Sequence, residues 1–488
     1  MTREDIADLI AHASRGLVVA PAGFGKTHLI ADAVSRSEGR QLILTHTHAG
    51  VRSMKDHLKR ARVPAGRARV STIDGWCLRY AASFPRLSEC GTARPEGDEW
   101  VAVRGGALRT LERKSVRRVV RCSYAGLFVD EYQDCTRSQH AVISWLASML
   151  PCRLFGDPLQ GIFAALDPDD VLGWDAVEDQ FPVLEELSEP WRWRGHNEEL
   201  GAWLAEVRRR LLMCEPVNLA GAPVKHVPET GQQAQIGACR RLLSEARATT
   251  VGLRKWAPQS YHLARSLRNT WSSMESVECA DLMNWAQRIE DSTGVGRLTL
   301  LFEFASVCIA CLDPGIRRIV DGLQAGHHPQ PRRADLKEVA IALAEVAGDR
   351  SLGAVDRAFA AMERASSTAT YSRRELWSEM RRSLRKHGRA GEGSLRDTAW
   401  NLRDCARRNG RTVPKRCLAT TLLVKGLEFD HAVLLNAEEI DDAENLYVAL
   451  TRARDSLTVL SPTAELRVKE PRFVPRSESR TGKGPRPQ

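Results

Sequence analysis

One short stretch near the start of the chain limits the possible folds more than any other. Residues 16–30 read Gly-Leu-Val-Val-Ala-Pro-Ala-Gly-Phe-Gly-Lys-Thr-His-Leu-Ile, and a helix-compatible segment continues to Ala33. An apolar strand, a glycine-rich turn and then Lys-Thr at the start of a helix is the order found in a phosphate-binding P-loop. The strict pattern has Gly where this chain has Ala20, and a glycine-rich structural turn is the alternative interpretation.

The residues of this turn suit a nucleoside triphosphate with Mg²⁺. Glycines let backbone N–H groups curl round a β-phosphate in front of the helix. The lysine can bridge the β- and γ-phosphates, and the threonine hydroxyl can ligate Mg²⁺. The predicted nucleotide-binding residues of the turn are Ala22, Gly23, Phe24, Gly25, Lys26 and Thr27, and the last of these is also a predicted metal ligand.

Composition and charge narrow the class of protein. The 488 residues suffice for two to four domains, and a hydrophobic content of 43% is ordinary for a globular chain. The net charge of +10 predicts an anionic partner, with nucleic acid the first candidate, although an arginine-rich proteome would give the same balance. No apolar run approaches the ~20 residues that span a bilayer, no signal-peptide core is evident, and the 12 cysteines are scattered. We therefore expect a cytoplasmic protein with no membrane partner.

Strand-like and helix-like segments alternate through much of the chain, which predicts an α/β fold with parallel sheets covered by helices. The apolar spacing from about residue 272 to 411 is instead helical almost throughout. The predicted parts are a first sheet domain with a short insertion, a second sheet domain in two segments, a mainly helical insertion in that second domain, and a disordered basic tail. These correspond to residues 1–182 (insertion about 77–122), 183–275 with 412–462, 276–411, and 463–488.

Two further motifs supply chemistry that a triphosphate site needs. An apolar segment ends in the adjacent acids Asp130 and Glu131. At the carboxyl end of a strand Asp130 can hold Mg²⁺ and its water shell, and Glu131 is placed to orient and polarise the attacking water. Gln160 follows another apolar segment, where its amide can sense a γ-phosphate through a hydrogen bond. The Gly-Asp-Pro before it also fits a plain β-turn.

In order and residue types, these motifs resemble those of the UvrD/Rep/PcrA group of superfamily 1 helicases. The segments that carry the resemblance are residues 20–27, 130–134, 156–163, 425–429 and 446–454. P-loops of this group commonly have Ala at the position of Ala20. In size and plan the chain is also similar to the helicase-like subunit of Gabija-type anti-phage systems, which suggests antiviral defence as a setting.

The resemblance implies two RecA-like P-loop domains with ATP and Mg²⁺ held between them. Glu131 would act as the catalytic base and Gln160 would couple the γ-phosphate to the DNA site. Arg192 and Arg452 would reach the γ-phosphate from the second domain, where a planar guanidinium stabilises transition-state charge. A surface ion pair is the alternative for either arginine. The remaining residues that the resemblance places at the nucleotide are Asp130 as metal ligand, Gly426 and Glu428.

The resemblance also implies a nucleic-acid site. Thr47, Thr72 and Trp76 fall where other members of the group contact single-stranded DNA. A hydroxyl can bond a phosphate, and an indole ring offers a stacking face worth ~1–3 kcal/mol per base. Half-buried aromatic packing is the alternative for Trp76.

Departures from the group concentrate at the DNA-contacting positions. The aromatic-Arg-Gly-Ala stretch expected after Phe163 reads Ala-Ala-Leu-Asp-Pro, and residues 1–15 contain no adenine-reading Gln.

We therefore predict an ATP-dependent single-stranded-DNA translocase or DNA helicase, moving 3′ to 5′ by resemblance, that acts on single-stranded DNA or DNA with a single-stranded end. The alternative is an ATP-gated DNA-binding switch that activates a protein partner such as a nuclease without processive unwinding.

Overall fold

The computed structural model describes most of the chain, and the described residues divide into two compact units. The first unit holds Met1–Pro228, Lys425–Asp430 and the described residues from Asn436 onward, and the second holds Glu229–Val424 and His431–Leu435. Residues 473–488, which the sequence assigns to a disordered tail, lie outside the described part. The described residues are 1–91, 95, 97–163, 171–245, 247–276, 280–348, 351–366, 370–390, 393–409 and 413–472.

A six-stranded sheet forms the base of the first unit. Its strands are β1 (Arg15–Val19), β2 (Gln41–Thr45), β3 (Ala68–Thr72), β4 (Gly126–Val129), β5 (Cys152–Gly156) and β6 (Val183–Glu186). They lie in the order β3-β2-β4-β5-β1-β6, and every pairing is parallel. Parallel strands bring their carboxyl ends to one edge, so the turns after β1, β4 and β5 are neighbours there.

Helices cover both faces of this sheet, because its strands are apolar on both sides. In β1, Leu17 and Val19 belong to one hydrophobic cluster and Val18 to another, as the alternation of side chains along a strand requires. Along the whole chain the helices are α1 (Arg3–His12), α2 (Lys26–Arg36), α3 (His48–Arg60), α4 (Ile73–Ser83), α5 (Pro85–Ser88), α6 (Glu99–Leu111), α7 (Lys114–Ser123), α8 (Arg137–Ala147), α9 (Trp174–Gln180), α10 (Glu198–Leu212), α11 (Gln232–Arg241), α12 (Ala257–Ser266), α13 (Ala280–Asp291), α14 (Gly294–Cys308), α15 (Pro314–Gln324), α16 (Ala334–Gly348), α17 (Leu352–Ala365), α18 (Arg374–Ala390), α19 (Leu395–Asn409), α20 (Thr421–Val424) and α21 (Ala443–Leu450).

The later strands form a second six-stranded sheet and a small two-stranded one. They are β7 (Val217–Asn218), β8 (Lys225–Val227), β9 (Thr250–Arg254), β10 (Ser272–Ser273), β11 (Arg416–Thr420), β12 (Phe429–Leu434), β13 (Ala453–Leu460) and β14 (Glu465–Leu466). The second large sheet has the order β10-β11-β9-β12-β13-β8, again with parallel pairing. β14 pairs antiparallel with β7, so a strand lies within the stretch that the sequence assigns to the tail.

A bundle of helices, α13 to α19, packs round its own hydrophobic cluster in the second unit. Phe304, Phe359 and Trp377 form the aromatic centre, with ring centroids 4.9–5.8 Å apart. Aromatic side chains bury large apolar areas, which is why a set of amphipathic helices can hold together here without a sheet.

Two large parallel sheets with covering helices confirm the predicted α/β class and are consistent with two RecA-like domains. β6 pairs with β1, so residues 183–186 belong to the first sheet, although the sequence assigns them to the second domain. The other domain limits stay predictions. Among the described helices, none is both long enough and apolar enough to cross a membrane.

Candidate nucleotide-binding site

The predicted P-loop is a tight turn between β1 and α2. Gly23 and Gly25 have φ of 81° and 83°, in the left-handed region that favours glycine. A Cβ added to Gly23 would lie 2.7 Å from the ring of Trp193, so the position also lacks space for a side chain. Gly25 directly precedes α2, whose first residue is Lys26. The sequence motif therefore has the backbone geometry that a P-loop needs.

Lys26 is buried with two carboxylates. Its Nζ lies 3.2 Å from Oδ1 of Asp130 and donates a hydrogen bond to Oε1 of Glu131. Burial acts to lower the pKa of Lys26, but the two carboxylates outweigh it and raise the pKa above its ordinary value. The lysine therefore stays protonated at the carboxyl edge of the first sheet.

The two acids follow β4 directly and have different electrostatics. Burial raises the pKa of Asp130. Burial acts in the same direction on Glu131, but Lys26, Lys425 and a hydrogen bond from Gln133 lower the pKa of Glu131 to about 2. Glu131 also has a φ of 57°, an unusual backbone conformation for a residue with a side chain. Such conformations concentrate at functional sites.

Gln133 connects Glu131 to the next strand. Its Nε2 donates to Oε2 of Glu131 at 2.5 Å, and its Oε1 accepts from the backbone N of Asp157 at 3.1 Å. Gln160, the predicted γ-phosphate sensor, is buried and donates from Nε2 to Oδ2 of Asp157 at 2.8 Å. Glu131 and Gln160 are therefore linked through Gln133 and Asp157, to which sequence reasoning gives no role.

Lys425 forms a second buried ion pair near these residues. Its Nζ donates to both carboxylate oxygens of Asp134, at 2.6 and 2.5 Å, and to the backbone carbonyl of Gln160. The lysine and carboxylate side chains are only 8% and 3% exposed. Both residues stand in the quoted motifs, but only their three-dimensional contact identifies them as partners.

The P-loop is in direct contact with the segment that contains Arg192. The backbone N of Arg192 donates to the carbonyl of Gly23 at 2.9 Å. Its guanidinium donates to Oε1 of Glu428 at 2.8 Å and to the backbone carbonyl of Thr451. This guanidinium lowers the pKa of Glu428. Gly426 lies nearby in sequence, exposed and with a φ of 76°.

Arg452 is buried and held by local acceptors. Its guanidinium donates to the carbonyls of Val448 and Leu427, at 2.8 and 3.0 Å, and to the Thr451 hydroxyl at 3.0 Å. Burial and the nearby Arg192 lower the pKa of Arg452 to about 9. The sequence expectation places both arginines in the second domain, whereas the compact unit that contains the P-loop includes both of them.

Helix α21, which precedes Arg452, contacts the P-loop. The buried Tyr447 hydroxyl accepts a hydrogen bond from the backbone N of Ala22 at 3.2 Å. The indole of Trp193 donates to the carbonyl of Ala453 at 2.9 Å. The turn after β1 is therefore held in part by Tyr447, which lies more than four hundred positions away in sequence.

Thr27 and Asp130 suit Mg²⁺ by their donor chemistry. Both offer hard oxygen atoms, and neither the Thr27 hydroxyl nor Oδ2 of Asp130 is hydrogen-bonded to another described residue. The described residues contain no cluster of three or more metal-ligating acids, histidines or cysteines. A Mg²⁺ here would take most of its shell from phosphate and water, as is usual for this ion.

The three predicted nucleic-acid residues differ in exposure. Thr47 is exposed and caps α3, accepting from the backbone N of Gly50. Thr72 is buried and caps α4 in the same way. Trp76 is 2% exposed and stacks on Tyr80 with a centroid distance of 4.1 Å. This burial favours the packing alternative for Trp76.

Comparison with protein families supports a helicase. Residues 321–461 match the family model described as the viral superfamily 1 RNA helicase core domain. No curated protein matches the chain. The match supports a superfamily 1 helicase with P-loop NTPase character, and such a domain implies nucleic-acid-dependent NTP hydrolysis. It does not extend to the narrower resemblance to the UvrD/Rep/PcrA group or to Gabija, which rests on the motifs alone.

Proposed function

We propose that the protein is an ATP-dependent single-stranded-DNA translocase or DNA helicase that moves 3′ to 5′. The observation that carries the proposal is the buried contact of Lys26 with Asp130 and Glu131 at the carboxyl edge of a parallel sheet. In this arrangement the P-loop lysine contacts two carboxylates. A bound triphosphate could replace these carboxylates as the partner of Lys26, and Asp130 could then ligate Mg²⁺. Thr27 and Asp130 would hold Mg²⁺, which when bound would neutralise phosphate charge.

ATP binding would change the protonation chemistry of Glu131. The lysine that now lowers the pKa of this carboxylate would turn to the phosphates. Glu131 would lose its strongest attractive partner, its pKa would rise, and it would become a stronger base for the attacking water. Gln133 would keep the carboxylate in place during this exchange, because its other amide atom is bonded to the backbone of Asp157.

Arg192 is the arginine that can exchange partners more easily. Its present partner, Glu428, has a side chain that is 58% exposed, and an ion pair in contact with water contributes little stability. A γ-phosphate would compete well for this guanidinium, because a planar fork fits phosphate oxygens. The buried Arg452 has no carboxylate partner among the described residues, and a triphosphate would compensate its positive charge.

The test is ATP hydrolysis with and without single-stranded DNA, together with displacement of an annealed strand. We expect DNA to stimulate hydrolysis, a strand to be displaced from a substrate with a 3′ single-stranded end, and Lys26→Ala to abolish both activities. Single-stranded RNA is a necessary parallel substrate, because the matched family acts on RNA. Stimulation by RNA alone would overturn the DNA assignment.

The alternative is an ATP-gated DNA-binding switch with a protein partner such as a nuclease. The altered positions after Phe163 favour it, since the group's base-stacking aromatic is missing from the sequence there. Hydrolysis without strand displacement, on substrates with either polarity of single-stranded end, would support the switch against the helicase. Absence of ATP hydrolysis under all conditions would refute both.

A further inference from the structure

Helix α18 of the second unit presents a row of basic side chains to solvent. Arg374, Arg382, Arg385 and Lys386 are all exposed. Together with the exposed Ser378 they recur every three or four residues, which puts them on one side of the helix. The opposite side is apolar and packs into the bundle through buried residues such as Trp377.

Three of these cations lack the carboxylate partner that several other exposed arginines of the same bundle have. Arg317, Arg357 and Arg364 each pair with an acid, at 3.1, 3.0 and 2.9 Å respectively. Within the described part of the chain, no carboxylate lies in ion-pair range of Arg374, Arg385 or Lys386. Three of the four cations in the row therefore keep their positive charge without a carboxylate partner among the described residues.

The acids of α18 do not neutralise the row either. Glu375 pairs with Arg403 and accepts from the backbone N of Glu275. Glu379 has a side chain that is only 17% exposed, and its single contact with the row is to Arg382 at 3.7 Å. Glu375 is therefore bonded to other residues of the second unit, and Glu379 is mostly buried. The exposed face of α18 keeps a net positive charge.

We propose that this face of α18 binds the phosphate backbone of a nucleic acid. From Arg374 to Lys386 the helix rises about 18 Å, which is long enough to lie along several consecutive phosphates of a strand (~3.4 Å per phosphate along a duplex axis). Arginine and lysine side chains without a carboxylate partner can bind phosphates, and consecutive phosphates of a strand can each accept such a contact. Because the side chains of the row are exposed, they can reach a phosphate backbone at the surface. The inference rests on the proposed action on nucleic acid and adds a second contact surface, outside the first unit.

The test compares two triple variants of the full chain that remove the same charge. The first, Arg382→Gln with Arg385→Gln and Lys386→Gln, removes cations of the row. The matched control replaces the three acid-paired residues Arg317, Arg357 and Arg364 by Gln. Binding of a single-stranded DNA oligonucleotide is measured by fluorescence anisotropy between about 50 and 200 mM salt.

We expect the slope of log K against log salt to become less negative by about 2 in the row variant, since each phosphate contact on a single strand contributes about −0.7. Its affinity should fall by about tenfold or more at the lower salt, while the control changes neither quantity by as much. ATP hydrolysis without DNA should be unchanged in both variants. An equal slope for the row variant and wild type would overturn this inference alone, whereas wild type without any nucleic-acid binding would overturn the proposed function as well.

A second measurement on wild type does not depend on the variants folding. Lys386 can be acetylated with acetic anhydride with and without bound DNA, and its modification read by mass spectrometry. Protection of Lys386, with Lys337 on α16 as the exposed internal reference, is expected. Equal modification of Lys386 in both conditions would contradict the contact.

Discussion

Replacing Glu131 by Gln should move ATP binding and ATP hydrolysis in opposite directions. Gln has nearly the same shape and can still accept the hydrogen bond from Gln133, but it carries no charge. Lys26 would then keep only Asp130, at 3.2 Å, as a carboxylate partner. A triphosphate would compete against one acid instead of two, so ATP should bind more tightly to the variant.

The structure gives the size of this effect. The pKa of Glu131 falls from its ordinary 4.5 to about 2, and at ~1.36 kcal/mol per unit the surroundings favour its charged form by about 3 kcal/mol. Burial opposes this preference, Lys26 is the strongest partner that favours the charged form, and Lys425 and Gln133 add to the effect of Lys26. If Lys26 accounts for about 1–2 kcal/mol, ATP should bind about 5- to 30-fold more tightly to the variant. Loss of a general base should lower kcat by about 10²–10⁴.

The assay pairs a titration with a fluorescent ATP analogue and a steady-state ATPase measurement. Glu89→Gln is the matched control, because Glu89 is a 77% exposed glutamate of the same unit, and it should change neither quantity. Weaker binding together with lost hydrolysis would mean that Glu131 supports the structure of the P-loop. Unchanged kcat would refute its role as base.

Three further predictions concern the surroundings of the site. Tyr447→Phe leaves the backbone N of Ala22 without its acceptor and should lower the free energy of unfolding in urea by about 1–3 kcal/mol. Gly23→Ala forces a Cβ to within 2.7 Å of Trp193 at a φ of 81°, and should lower Tm and raise KM for ATP; an unchanged Tm would show that the loop adapts. Burial lowers the pKa of His46 below 6.5, so wild type should lose stability as the pH falls from about 7.5 to 5.5, and His46→Asn should lose less over that range in thermal unfolding.

Local patterns in the sequence predict the turn after β1 and the parallel sheet, because each of these patterns is set by neighbouring residues. The two glycines and Lys26 occupy one turn, and Asp130 directly follows an apolar strand. Parallel pairing then brings the ends of these strands to one edge, which the alternation of strands and helices already predicts. The fold class and the meeting of these strand ends at one edge follow from such short-range information.

Local sequence patterns do not predict contacts between distant segments of the chain. Lys425 donates a hydrogen bond to Asp134, and the backbone N of Ala22 donates one to Tyr447, although the partners are hundreds of residues apart in sequence. The spacing of residues within the motifs does not predict either contact. Trp76 shows the same limit for burial, because helical spacing does not tell which face of α4 lies against the core. Packing decides such contacts, and it depends on side chains from many elements at once.

Each cation near the P-loop already contacts an acceptor of the protein, and the exposure of that contact indicates how easily a phosphate could replace it. The pair of Lys425 with Asp134 is almost fully buried, and breaking it would leave two uncompensated charges away from water. The pair of Arg192 with Glu428 is open to water on the carboxylate side, so its exchange for a phosphate removes little stability. Lys26 lies between these extremes, because Glu131 is 26% exposed whereas Asp130 is 6% exposed. A triphosphate would therefore displace Glu428 from Arg192 and Glu131 from Lys26 before it disturbed the buried pair, so that nucleotide binding frees the proposed base while Lys425 keeps Gln160 in place.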